Sequence, residues 1–111
     1  MTVIEMAKAS AAVAAQAYVE LYLGGEDDFP CGFAWVEVKP KHKGNTKDGK
    51  AERVVLNDMG FKLDHTGKIF SLWNPSQIYY QNMDAKYVGA VAAANVLKEA
   101  GFDAYACSRL D

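Results

Sequence analysis

Lys39, Lys41, His42, Lys43, Lys47 and Lys50 crowd basic side chains into one short stretch of this chain. A second stretch, Asn74, Ser76, Gln77, Tyr79, Tyr80 and Gln81, supplies amides, hydroxyls and stackable rings. Each stretch runs into a predicted helix, whose first turn offers unpaired N–H groups and a partial positive charge. Cations, amides and rings at one edge suit an anionic small molecule, phosphate-bearing or nucleotide-like. They suit an acidic protein surface equally well. A third use of such lysines is plain solvation of a small domain.

Other chemistry is thinner. Gly44 to Lys50 matches the spacing G-x-x-x-x-G-K, but Ala51 stands where a phosphate-binding loop needs Ser or Thr for magnesium. No long parallel sheet is expected to host such a loop, so the match reads as chance. Cys31 and Cys107 form no C-x-x-C pair and have no histidine at ligand spacing, so no metal site is expected. Both fall in predicted strands and read as buried thiols. His42 lies in the lysine loop and His65 in a hairpin turn, expected at opposite ends of the sheet. Asp58, Asp64, Asp84 and Asp103 sit at turns and caps, where aspartate has local duties. Neither a nucleophile–base pair nor paired carboxylates emerge, and no cofactor is expected.

The elements that position these residues follow from pattern. Residues 3–23 read as a helix, rich in alanine and stopped by Gly24-Gly25, apolar nearly all the way round and so covered on more than one side. An acidic turn, Glu26 to Pro30, follows it. Residues 31–38 are a strand by aromatic and β-branched content. Thr46 caps a helix running to Met59, with Ala51, Val54 and Val55 facing inward. Strands at 61–63 and 68–73 flank a hairpin turn. Asp84 caps a third helix that ends at Gly101, and the last strand is 102–107. The polar end, Ser108 to Asp111, reads as frayed.

The two halves echo one another: Met59-Gly60-Phe61-Lys62-Leu63 and Ala100-Gly101-Phe102-Asp103-Ala104 each pass from helix through Gly-Phe into strand. Strand–helix–strand twice over predicts an α+β, ferredoxin-like βαββαβ sandwich, with two helices on one face of a four-stranded antiparallel sheet. In it the strands over 31–38 and 68–73 are expected as a parallel central pair. Their C-terminal ends would open side by side into loops 39–47 and 74–83, which would make the two stretches one binding edge. Phe33, Trp35 and Phe70 are expected on one face of that pair, where an RNA-recognition module stacks bases. That module's basic, glycine-rich strand signature is absent, and the leading helix is expected over those rings or at a subunit interface.

A chain of 111 residues is one domain, here a leading helix over 1–25 and a body over 31–107. At this length it buries roughly two thirds of its unfolded surface without a metal or disulfide staple. A net charge of −2 carries no global basic excess for nucleic acid. Glu5, Lys8, Gln16 and Glu20 interrupt residues 3–23, which argues against a signal peptide or membrane anchor and for a cytoplasmic protein.

Cys-Gly-Phe-Ala-Trp-Val at 31–36, Leu-Trp-Asn-Pro-Ser at 72–76 and the closing Ala-Gly-Phe-Asp-Ala-Tyr-Ala-Cys-Ser-Arg-Leu-Asp are similar to a group of small uncharacterised proteins encoded by tailed bacteriophages. The resemblance covers about residues 31–111. It implies the cytoplasm of an infected bacterium and a host-takeover or counter-defence role exercised by binding. The first expectation is therefore a non-catalytic binding protein that engages a host protein or an anionic ligand at the loop edge. Its first helix would support a homo-oligomer. The alternative is a nucleic-acid-binding accessory protein using the same lysines with Trp35 or Tyr79 and Tyr80. The weakest is a small nucleotide-acting enzyme with His42 as its acid–base group.

Overall fold

The computed structural model describes residues 1–27 and 30–111; Asp28 and Phe29, inside the predicted acidic turn, lie outside the described residues. The elements run α1 (Val3–Tyr22), β1 (Gly32–Val38), α2 (Lys47–Asp58), β2 (Lys62–Leu63), β3 (Phe70–Trp73), α3 (Met83–Glu99) and β4 (Ala104–Leu110). Four strands form one antiparallel sheet in the order β2-β3-β1-β4.

Local chemistry sets the element ends. Thr46 accepts from Gly49 N–H at 3.0 Å and starts α2 as expected. Asn82, not Asp84, caps α3, accepting from Ala85 N–H at 2.8 Å. The echo in the sequence is a repeated Schellman ending. Phe61 N–H bonds Leu56 O at 3.1 Å and Phe102 N–H bonds Leu97 O at 3.0 Å, with Gly60 and Gly101 at φ +97° and +98°.

Strand β1 alternates: Ala34, Val36 and Val38 are buried, while Phe33, Trp35 and Glu37 are half-exposed. The buried side meets Phe70 and Leu72 of β3, Leu56 and Phe61, and Ala90, Ala93, Ala94 and Leu97 of α3. Helix α1 adds Ala7 and Ala11 to the same core. It lies against α3 through a stripe of Ala7, Ala11, Ala15 and Val19. The helices approach closely at Gly89, where a Cβ would stand 2.9 Å from Ser76 Cβ and 3.0 Å from Ala11 O.

Three expectations change. The leading helix packs beside α3, because its buried stripe is small enough to nest on alanines and a glycine, and among the described residues no element covers the other face of the sheet. Ala51, Val54 and Val55 are exposed, the valines at 59% and 49%, since α2 gives the core Leu56, while its other buried residue, Gly49, lies against the Lys43 carbonyl. Ser108, Arg109 and Leu110 are not frayed; they pair with Ala34, Phe33 and Gly32 and extend β4 by three residues.

Candidate binding surface

The central strands β1 and β3 are antiparallel, with Val38 opposite Phe70 and Trp35 opposite Trp73. A helical crossover keeps β2 parallel to β1, and the hairpin then reverses β3. The C-terminal ends of β1 and β3 therefore lie at opposite ends of the sheet. Lys39, Lys41, His42, Lys43, Lys47 and Lys50 gather at one end; Asn74, Gln77, Tyr79 and Tyr80 gather at the other. The single loop edge expected from the sequence does not form. The same register brings the hairpin turn with His65 to the end that holds His42, rather than to the far one.

Each loop is held by its own contacts. Glu52 accepts from the backbone N–H groups of Lys41 (2.8 Å) and His42 (3.1 Å). Arg53 donates to the carbonyls of His42 (3.1 Å) and Gly49 (2.9 Å), and the Lys41 ammonium donates to Gly101 O. The G-x-x-x-x-G-K stretch is thus a capped helix start. Its Gly49 is needed because a Cβ there would run into the Lys43 carbonyl.

At the far end, Asn74 and Gln77 take φ +43° and +58°. The Asn74 side chain donates to Ile78 O and accepts from the Ser76 hydroxyl. Asp27 accepts from Gln81 N–H (2.7 Å) and Asn82 N–H (3.0 Å), which ties the loop to the segment after α1. Tyr79 is 98% exposed beside a shallow hollow lined by Gln16, Asp27, Gln77 and Tyr80.

The surface that stands out is the bare face of the sheet. By register, Phe33, Trp35 and Glu37 of β1 share it with Ser71 and Trp73 of β3, Lys62 of β2, and Tyr105, Cys107 and Arg109 of β4. Trp35 and Trp73 stack with centroids 4.8 Å apart, and Phe33 meets Trp73 edge-on at 6.1 Å. The Arg109 guanidinium sits 5.7 Å from the Phe33 centroid. Phe70, expected in this group, is only 1% exposed and points into the core. Trp73 takes its place, three residues along and on the opposite side of the pleat.

Glu37 anchors the polar half of the face. It accepts from Trp35 Nε1–H (2.9 Å), Tyr105 O–H (3.1 Å) and Cys107 Sγ–H (3.3 Å). Burial first, then the Glu37 hydrogen bond and charge, push the Cys107 thiol up to about 12, and the same causes raise Tyr105. Cys107 is therefore held as the thiol, a weak donor that fixes the carboxylate. Neither cysteine is fully buried as expected; both are half-exposed. Among the described residues, no three His, Cys, Asp or Glu side chains group as metal ligands, and no helix is long and apolar enough to cross a membrane.

Comparison with family models, with curated proteins and with solved structures finds no match.

Proposed function

We propose that this chain is a non-catalytic binding protein of tailed-phage type whose bare sheet face takes single-stranded nucleic acid. The observation that carries this reading is the Phe33–Trp35–Trp73 platform, left open where a helix was expected. Base–aromatic stacking contributes about 1–3 kcal/mol per base and tolerates any sequence. The four-stranded antiparallel sheet is consistent with a ferredoxin-like arrangement, and such sheets carry base-stacking aromatics in RNA-recognition modules.

Charge supports the same ligand. Residues 39–68 hold eight Lys and Arg against four Asp and Glu, a balance of +4. The remainder holds four against ten, a balance of −6, which together restores the net −2. The basic segment starts and returns at one end of the face, where a strand leaving the platform meets cations. An acidic host protein docked on that same lysine end is the second reading, favoured by the way Glu52 and Arg53 hold the loop in one shape.

Titration with an unstructured oligothymidylate tests the first reading. Tryptophan fluorescence should be quenched on binding, and affinity should fall as salt rises, because phosphate contacts release counterions. An unquenched signal at low salt overturns it.

A further inference from the structure

Strand β4 is an edge of the sheet, and the pattern of its free backbone groups follows from two bonds. Lys39 N–H bonds Asp103 O at 2.9 Å, and Asp111 N–H bonds Cys31 O at 3.1 Å. Both bonds join odd-numbered partners in the β1–β4 register. In an antiparallel ladder, hydrogen-bonded and non-hydrogen-bonded pairs alternate. The odd residues of β4 therefore turn their N–H and C=O groups toward β1, and Ala104, Ala106, Ser108 and Leu110 turn theirs outward.

Natural edges of this length are blunted by Lys, Pro or a bulge. Residues 104–110 contain neither Lys nor Pro, their one charged side chain, Arg109, lies against the Phe33 ring on the open face, and they pair with β1 residue for residue without a bulge. We infer that β4 pairs antiparallel with β4 of a second copy, about a two-fold axis at Cys107. This register is the one that uses all four outward residues: Ala104 faces Leu110 of the partner, and Ala106 faces Ser108 of the partner, each twice by symmetry. On the open face it sets Tyr105 opposite the partner's Arg109, a ring against a cation. A register centred on Arg109 would set two guanidinium groups face to face. The one like-charged pair in the chosen register is Asp103 with the partner's Asp111, both exposed at the ends of the strands and screened by salt.

A second feature fits the same occupant. On the helix side, a groove of about 260 Å³ runs along this edge between α3 and β4, lined by Tyr87, Val91, Ala94 and Lys98. Leu110 is 62% exposed on that side of the strand. In the paired dimer it enters the partner's groove beside Ala104 and covers apolar surface on both copies. The eight-stranded sheet that results carries the two aromatic platforms on one continuous face.

The test is the mass of the full chain by light scattering, together with amide exchange read residue by residue. The wild type should show twice the 12.1 kDa chain mass, with the Ala106 and Ser108 amides protected. Ser108→Pro removes only an outward N–H, which an edge tolerates. It should halve the mass and leave the β1 ladder protected. Leu110→Lys, a charge on the edge, should do the same by a different route. Val13→Glu, on the exposed flank of α1, should leave the mass doubled. A wild-type monomer, a dimer that survives both edge variants, or one lost on Val13→Glu would overturn the pairing. It is independent of what the face binds, so a dimer indifferent to oligonucleotides leaves it standing.

Discussion

Trp35 and Trp73 face one another directly across the β1–β3 ladder, their rings 4.8 Å apart and inclined by 26°. Trp35 is fixed further by its indole bond to Glu37, while Trp73 remains 53% exposed with Phe33 at its edge. The pair is therefore a preformed platform with one held ring and one accessible ring.

Trp73→Ala should weaken oligonucleotide binding by roughly tenfold, one base stack's worth, while the midpoint of thermal unfolding moves little. Trp73→Phe should recover much of the affinity, because a ring remains to stack. Fluorescence anisotropy of a labelled oligomer measures both. Equal affinity for all three proteins would show that the ligand lies elsewhere.

Core and surface apolar residues should separate cleanly. Leu56→Ala removes a fully buried side chain and should cost about 2–5 kcal/mol. Val55→Ala, one residue away but half-exposed, should stay within about 0.5 kcal/mol. Urea titrations of the two variants read the contrast directly.

Gly89→Ala puts a methyl against Ser76 Cβ and Ala11 O at the α1–α3 contact. Overpacking of this kind costs about 1–3 kcal/mol. The loss should appear at α1 first, as faster amide exchange of residues around Ala11 and Ala15.

Asn82→Ala should destabilise by about 0.5–2 kcal/mol, because α3 loses the side chain that caps Ala85 N–H. Asp84→Ala should cost less, since it removes only a first-turn charge. Denaturation midpoints of the two variants rank them.

Cys107, raised to about 12 by burial and by Glu37, should alkylate at pH 8 with only about one part in ten thousand as thiolate. Its folded value lies above that of an unfolded thiol. Its share of stability is therefore intact below the ordinary thiol range and is lost as pH rises toward 12. Glu37→Gln should move the alkylation profile to lower pH without restoring an ordinary thiol, because burial remains the larger cause. Mass spectrometry of a Cys31→Ser protein follows the reaction.

Much of the fold was legible because its signals are local. The Gly-Phe joints, the Thr46 cap and the alternation of residues 31–38 are written within a few residues each. Strand direction was not legible in the same way. It depends on the number of chain reversals through a helix and a hairpin, and one reversal separates a parallel β1–β3 pair, which would set the lysine loop beside the Asn74 loop, from the antiparallel pair that holds them a sheet's length apart. Trp73 was missed although Phe70-Ser71-Leu72-Trp73 carries the signal: with Phe70 inward, a period of two sends Trp73 outward beside Trp35. The inward turn of Val54 and Val55 was expected from apolarity alone. Nothing in α2's own sequence tells how little of the helix reaches the core.

The β1–β4 ladder joins residues between 66 and 78 positions apart, Val38 with Ala104 at one end and Gly32 with Leu110 at the other. Such closure is the slow part of folding a sheet, since the chain between must be ordered before the pairing is formed. On the ribosome, β1 therefore keeps an unpaired edge beside its exposed aromatics until β4 has emerged. Over that interval the nascent chain presents a sticky strand to its neighbours.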